Sequence, residues 1–152
     1  MNRREVLKSA AAGALTLWVP RLLKAQQAVT KLTGTLSVID GGGANVTALS
    51  TGEGFVLVDS GAPGSGDAVM AALKGLAPNG KVQALFNTHY HMDQTANNEQ
   101  FAAQGAKIVS QARTKEWMSA NYWVPAESRY EKARPKAALP METLSAPTRS
   151  SR

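Results

Sequence analysis

The stretch Asn87-Thr-His-Tyr-His-Met-Asp-Gln-Thr95 decides how this 152-residue chain is interpreted. It follows a short apolar run that predicts a buried β-strand, and a polar loop is expected from Asn87 to Asn98. Within that loop His89 and His91, which are the only two histidines of the chain, alternate with Asp93. Side chains at every second position of an extended segment lie on one side. Two imidazoles and one carboxylate are therefore expected to converge on one small volume.

Two histidines and a carboxylate form a donor set that suits zinc, which binds nitrogen at about 2.0–2.1 Å and oxygen at about 2.0–2.2 Å. A solvated polar loop with two ordinary histidines is the alternative interpretation. The chain has no cysteine, which excludes disulfides, thiolate zinc sites and iron–sulfur clusters. Every histidine-dependent metal site must therefore use this one pair.

Hydrophobic patterning on both sides of the motif predicts strands that alternate with helices. The predicted strands are Leu32–Ile39, Asn45–Ser50, Phe55–Val58, Val82–Phe86 and Ala106–Ser110. The predicted helices are Asp67–Leu76, Glu99–Gln104 and Gln111–Tyr122. After Val124 prolines interrupt the pattern, and residues 145–152 are predicted to form a flexible basic tail. The alternation favours an α/β or layered α+β domain over residues 26–144.

Residues 1–25 have the three regions of an export signal. A charged start at Asn2–Lys8 precedes a ten-residue apolar run at Ala10–Val19, and Ala25 supplies a small residue at the exit. The Arg3-Arg4 pair and the Leu-Lys after it resemble a twin-arginine signal, which implies a periplasmic or secreted bacterial protein. An amphipathic N-terminal helix of the domain is the alternative. Ten helical residues span about 15 Å, half of a roughly 30 Å hydrocarbon core, so no stable membrane anchor is expected.

The net charge of +6 is concentrated at the two ends of the chain. Residues 1–25 and 113–152 are strongly basic, whereas residues 26–112 carry four lysines against six acidic side chains. A nucleic-acid-binding domain concentrates positive charge on its folded module, so no nucleic-acid partner is expected. An aromatic cluster near basic residues is predicted to pack in the core, with stacking on single-stranded nucleic acid as the alternative: Trp117, Tyr122, Trp123 and Tyr130.

Several segments resemble the metallo-β-lactamase superfamily when taken in chain order. They are Val56-Leu-Val-Asp-Ser-Gly61 with the helix after it, Phe86–Thr95, and Lys107-Ile-Val-Ser110. The resemblance covers about Leu32 to Trp117 and implies a sandwich in which two sheets pack face to face with helices outside. It extends to the N-terminal half of that αββα fold only. The segment Ala137–Leu144 resembles the family's approach to its second half, so the domain is expected to be truncated.

The resemblance also implies roles for single residues. His89 and His91 would be two ligands of a first zinc ion, and Asp93 would bind a second one and orient the attacking water. Asp59 would support the site from the end of the neighbouring strand. A turn residue that accepts backbone N–H bonds is an alternative role for Asp59.

Gln94 departs from the family, which usually has a histidine at this position. An amide oxygen is a weaker zinc donor than imidazole, so one zinc ion is expected rather than two, and Gln94 would instead hydrogen-bond to a metal-bound water. Thr88 and Thr95 are expected to fix the loop through their hydroxyls rather than take part in catalysis.

The function implied by the resemblance is that of an exported zinc hydrolase. A metal-bound hydroxide would attack a carbonyl or ester-like bond of a small-molecule ester, amide or lactam. The alternative is a truncated, inactive metal-binding or interaction protein of the same fold, because the family's second half supplies further ligands. A single sheet would leave an apolar face in water, where burial is worth about 25 cal/mol per Å². Its open edges also favour pairing, so self-association through the exposed sheet is expected.

Overall fold

The computed structural model of the protein describes residues 28–125 and 128–145. The predicted export signal at residues 1–25 lies outside the described residues, as do residues 146–152 of the predicted tail. The strands are β1 (Val29–Lys31), β2 (Leu36–Asp40), β3 (Asn45–Thr51), β4 (Gly54–Val58), β5 (Val82–Asn87), β6 (Lys107–Gln111), β7 (Tyr122–Val124), β8 (Arg129–Glu131) and β9 (Glu142–Leu144). The helices are α1 (Gly66–Leu76), α2 (Met92–Thr95), α3 (Asn98–Ala102) and α4 (Ala112–Met118), with a short 3-10 helix at Lys136–Ala138.

One mixed sheet of seven strands organises the described part of the chain. Its order is β1-β2-β3-β4-β5-β6-β9, and β7 pairs with β8 in a separate hairpin. The strands β1 to β4 run antiparallel, whereas β4, β5, β6 and β9 are parallel. Parallel neighbours need crossover connections, and α1 lies in the connection from β4 to β5. The predicted class of a mixed α/β domain is confirmed.

One face of this sheet carries the hydrophobic core. Helix α1 presents Val69, Ala72 and Leu73 at the spacing of one helical face, and it ends at Leu76, as the sequence predicts. Their partners are apolar side chains of five strands and of α3, all fully buried: Ile39, Val46, Phe55, Leu57, Leu85, Ile108 and Phe101. Burial of one such side chain stabilises the fold by about 1.5–3 kcal/mol.

The opposite face of the sheet is far less covered. The strand register aligns Leu36 with Leu49 and Val56, and it aligns Val58 with Phe86. Leu49 and Phe86 remain 40% and 37% exposed. The apolar face that the sequence predicts is therefore present in the described residues, while self-association through it stays a prediction.

The strand predicted at Leu32–Ile39 begins only at Leu36, because residues 32–35 form the turn of the hairpin between β1 and β2. The Thr33 hydroxyl accepts the backbone N–H groups of Thr35 and Leu36 at 3.2 and 3.0 Å. This local turn competes with an extended backbone.

Three other boundaries also differ from the prediction. The segment expected to be a polar loop at Asn87–Asn98 contains the short helix α2, and α3 begins at Asn98 and ends at Ala102 instead of Gln104. Helix α4 ends at Met118 rather than Tyr122, which already belongs to β7. The pattern does not simply decay after Val124, because β9 joins the main sheet and the Met141 N–H donates to the Ile108 carbonyl at 2.8 Å. No helix of the described residues is long and apolar enough to cross a membrane.

Candidate metal centre

The three predicted metal ligands lie close together at the carboxyl end of β5. One ligand atom each from His89, His91 and Asp93 lies within 4.8 Å of the other two. The two imidazole rings have centroids 4.7 Å apart and planes at 74° to each other. Tetrahedral zinc with bonds of about 2.0–2.2 Å keeps its ligand atoms about 3.4 Å apart, so these side chains would have to rotate towards one another to bind one ion.

A hydrogen-bonded relay holds His89 from behind. The Thr88 hydroxyl lies 2.8 Å from Asp59 Oδ2 and 2.9 Å from His89 Nδ1. Because an ionised carboxylate only accepts, the hydroxyl donates to Asp59 and in turn accepts the Nδ1–H of His89. This tautomer leaves the Nε2 lone pair of His89 for a metal ion, an arrangement that raises the basicity of a ligating histidine.

Asp59 is positioned by the end of β4. Its backbone N–H donates to the Phe86 carbonyl at 2.8 Å, and its Oδ1 accepts the Thr88 backbone N–H at 2.9 Å. Its φ of 65° lies in the left-handed region, and the residue is 5% exposed. Burial raises the pKa of the Asp59 carboxyl, while the two Thr88 hydrogen bonds oppose that rise. Asp59 thus accepts a backbone N–H and also reaches His89 through Thr88, so both suggested roles describe real contacts.

The loop after His91 is held by further hydrogen bonds. The buried Thr95 hydroxyl donates to the His91 carbonyl at 2.9 Å, which closes the first turn of α2. The Gln94 carbonyl accepts both the backbone N–H and the hydroxyl of Ser60, at 2.7 and 3.0 Å. The Gln94 side chain donates from Nε2 to Asp93 Oδ2 at 3.1 Å, so it orients the carboxylate and leaves Oδ1 to other partners.

Asn97 is a structural centre of the site that the sequence did not reveal. Its Nδ2 lies 2.7 Å from the Ser60 carbonyl, 3.1 Å from that of Gly61 and 3.0 Å from that of Ala62. Its Oδ1 accepts the Gly66 backbone N–H at 3.2 Å, at the start of α1. Asn97 is 7% exposed and ties the loop after β4 to the helices that follow the metal loop. Nothing in a lone asparagine between two helices signals this role.

A cleft of about 640 Å³ opens beside the ligand group. This size lies within the roughly 300–1,000 Å³ typical of small-molecule sites. Its lining combines two candidate ligands with aromatic, apolar and paired charged side chains: Pro63, Tyr90, His91, Met92, Asp93, Trp117, Tyr122, Trp123, Val124, Pro125, Arg129 and Glu131.

The prediction that the aromatic cluster packs in the core is wrong. Trp117 and Trp123 are 41% and 48% exposed and line the cleft, and Tyr130 is 68% exposed beside Trp123. Their contacts are mutual: Tyr90 stacks on Trp117 at 5.1 Å and 15°, and Tyr122 meets both rings edge-on. Sequence spacing alone does not separate a helix face that is buried from one that borders a cleft.

Comparisons with solved structures place this geometry among known folds. MEM-A1, a subclass B3 metallo-β-lactamase from a soil metagenome, is 16% identical with a TM-score of 0.62, covering 79% of this chain and 46% of that protein. A metallo-β-lactamase from Pontibacter korlensis is 23% identical with a TM-score of 0.56, covering 78% and 53%. A Cronobacter sakazakii metallo-β-lactamase is 18% identical with a TM-score of 0.53, covering 60% and 37%. The chain therefore spans about half or less of each of these proteins.

The Cronobacter sakazakii protein is described by an HARLDQ motif. The six residues from His89 to Gln94 share its first, fifth and sixth letters. No curated protein sequence matches this chain. The profile of the metallo-β-lactamase superfamily matches residues 39–144, which is more than half of the chain. The chain belongs to the metallo-β-lactamase superfamily.

Proposed function

We propose that this chain belongs to an exported zinc-dependent hydrolase that cleaves an ester, amide or lactam bond of a small molecule. The observation that carries the proposal is the group of His89, His91 and Asp93, whose ligand atoms lie within 4.8 Å of one another beside a cleft. Membership of the superfamily supports it, because the similar solved proteins described above include metallo-β-lactamases.

The donor set suits zinc in its ligand types and in the way that neighbouring residues orient the ligands. Two imidazole nitrogens and one carboxylate oxygen are common ligands of catalytic zinc, which keeps a fourth position open. The Thr88 hydroxyl, which donates to Asp59, is placed to accept a proton from His89 Nδ1 and would so leave Nε2 for the metal ion. Gln94 is neutral and already donates to Asp93, which supports one ion rather than two.

The residues of the chain would divide the work of hydrolysis among them. Bound zinc would supply a water whose pKa is lowered towards about 7. Asp93 would bind zinc through Oδ1, the oxygen that Gln94 leaves open, and would orient the attacking water through Oδ2, which Gln94 Nε2 holds in place. Asp59 and Thr88 would keep His89 in place, and the cleft would hold the substrate next to His91. The HARLDQ motif of the Cronobacter sakazakii enzyme also ends in Asp-Gln, so a solved metallo-β-lactamase has glutamine after the motif's aspartate, as this chain has at Gln94.

Export is part of the same proposal. The segment Asn2–Lys8 resembles a twin-arginine signal, and the apolar run after it supports a periplasmic or secreted location. The separation of basic ends from a mildly acidic middle argues against a nucleic-acid partner. Open apolar side chains such as Leu49 and Phe86 support self-association as a further property of this chain.

A second candidate is an inactive metal-binding or interaction protein of the same fold. It is favoured by the small donor set, since residues 28–125 and 128–145 contain one group of three clustered His, Asp or Glu ligands. Such a protein would bind zinc through the same residues and hydrolyse nothing.

The two candidates are separated by turnover measurements on the full chain. A chromogenic β-lactam, a thioester and a lactone are each incubated with metal-free protein and with protein loaded with one equivalent of zinc. The hydrolase predicts turnover of at least one substrate that a chelator abolishes and zinc restores, and that His91→Ala removes. A folded protein with zinc bound at full stoichiometry and no turnover on any substrate would favour the inactive alternative.

A further inference from the structure

We propose that the aromatic cleft, formed by Tyr90, Trp117, Tyr122 and Trp123, selects small neutral molecules that carry a planar aromatic group next to the bond to be cleaved. The inference rests on the proposed function, because only a hydrolase would cleave the molecule bound in the cleft. Binding of a planar aromatic amide in the cleft can be measured without any turnover.

Position links the aromatic cleft to the candidate metal centre. Tyr90 lies in the chain between the two histidines, and its ring centroid is 4.7 Å from that of His91 with the planes at 76°. The same Tyr90 ring stacks on Trp117 at 5.1 Å. His91 and Asp93 line this cleft together with the aromatic side chains. A ring bound here therefore places its attached carbonyl group beside two of the three candidate ligands.

Part of the aromatic surface of the cleft is exposed and can contact a ligand. Trp117 and Trp123 are 41% and 48% exposed, although each already contacts another ring. Aromatic pairs prefer offset stacks and edge-to-face contacts, and the nearly perpendicular Trp117 and Tyr122 rings offer a face and an edge at one place. A planar guest can satisfy both contacts at once, whereas a saturated ring of equal size satisfies neither.

The charges of the cleft favour a neutral guest. Glu131 is 8% exposed, and both Arg129 and Arg134 make ion pairs with it. The hydrogen bond from Arg134 lowers the pKa of the Glu131 carboxyl, so this group stays ionised and paired at neutral pH. The wall of the cleft therefore carries both signs of charge, with Arg129 beside Glu131, so a neutral ring avoids the repulsion that a charged substituent of either sign would meet there.

The apolar open face of the sheet is the main competing site for such a molecule. It includes Phe86, which is 37% exposed. Binding there would depend on apolar area and would discriminate little between planar and puckered rings, since the hydrophobic effect is non-directional. The shape of the guest and the location of the sensitive residues therefore distinguish the two sites.

The test compares two amides with the same carbon skeleton. Planar 2-naphthamide and its saturated counterpart, decahydro-2-naphthamide, are titrated into full-chain protein with ligand-observed NMR, both without metal and with one equivalent of zinc. The variants are Trp117→Ala, Trp117→Phe, Tyr122→Leu and, as a control on the open face, Phe86→Ser. Circular dichroism establishes that each variant is folded.

The proposal predicts that wild-type protein binds 2-naphthamide at least five-fold more tightly than the saturated amide, with or without zinc. Trp117→Ala and Tyr122→Leu should each weaken 2-naphthamide binding about five-fold or more, Trp117→Phe should retain most of it, and Phe86→Ser should not change it. Equal affinity for the two amides, or binding that Phe86→Ser abolishes and Trp117→Ala does not change, overturns the proposal. Failure of hydrolysis with intact naphthamide selectivity would instead count against the proposed function alone.

Discussion

The two sides of the metal loop are built in opposite ways. Behind the loop, Asp59 and Asn97 are 5% and 7% exposed and their polar atoms are engaged in hydrogen bonds. In front of it, Trp117 and Trp123 are 41% and 48% exposed and contact mainly other rings of the cleft. Buried hydrogen-bond networks specify a single geometry, whereas exposed rings contribute little to folding. The comparison indicates that the fold fixes the candidate ligands, whereas the proposed contacts to a substrate come from residues that folding does not require.

The largest effect on stability is expected from a substitution at Asn97, on the buried side of the metal loop. Asn97→Ala removes the side chain that joins the carbonyls of Ser60, Gly61 and Ala62 and leaves them buried without this partner. We expect the free energy of unfolding to fall by about 2–3 kcal/mol, as for other buried polar groups left unsatisfied. Chemical denaturation measures the change. Asn79→Ala, in an exposed turn, is the matched control and should stay within about 0.5 kcal/mol of wild type. Equal losses in both variants would contradict the account.

The next largest effect is expected in zinc affinity. Thr88→Val removes the hydroxyl between Asp59 and His89 while keeping the size of the side chain. Loss of such a partner typically weakens metal binding about 10–100-fold, so we expect the zinc dissociation constant to rise by about that factor. Competition with a chromophoric chelator measures it, and Thr30→Val on the exposed strand β1 is the control. An unchanged dissociation constant in Thr88→Val would show that the relay does not prepare His89.

On the cleft side of the metal loop, the free energy of unfolding should depend on pH through Glu131, with a smaller effect than the two above. Arg134 holds the pKa of Glu131 below the ordinary 4.5. A lowered carboxyl pKa contributes stability that is present above the unfolded-state value and is lost as the pH falls through the folded-state value. The difference in unfolding free energy between wild type and Glu131→Gln should therefore shrink as the pH is lowered from 6 to 3. Urea denaturation at several pH values follows it, and a constant difference across this range would be inconsistent with the ion pair.

The smallest effect on stability is expected on the open face of the sheet. Phe86→Ser alters a side chain that is 37% exposed, so the monomer should lose little stability, while the predicted self-association should weaken. Sedimentation velocity over a range of protein concentrations measures the association. Tyr130→Ser is the control, since Tyr130 is 68% exposed and lies outside the main sheet. Association that survives in Phe86→Ser and disappears in Tyr130→Ser would place the contact elsewhere.

Periodic elements were predictable because local pattern and final burial agree in them. Helix α1 repeats its apolar residues at helical spacing, and all of Val69, Ala72 and Leu73 face the core. The structure also brings His89, His91 and Asp93 together as their alternation predicted, although Asp93 lies in the first turn of α2 and not in an extended segment. The roles of these residues in metal binding and catalysis stay predictions.

Features set by distant contacts were not predictable. The Asn97 side chain donates hydrogen bonds to carbonyls more than 30 positions away in the chain, and no local pattern predicts these contacts. Likewise, β9 is a strand because β6 offers it a free edge. The aromatic side chains were predicted to be buried. The sequence does not show that the surface next to them is an open cleft and not another packed element.

The central claim is that two imidazoles and one carboxylate of this loop bind one zinc ion. X-ray absorption spectroscopy of the full-chain protein loaded with one equivalent of zinc tests it most directly. The account predicts only nitrogen and oxygen ligands at about 2.0–2.2 Å, with two imidazoles in wild type and one in a metal-loaded His91→Ala variant. A zinc spectrum without imidazole scattering, or one that His91→Ala and His89→Ala leave unchanged, would contradict it.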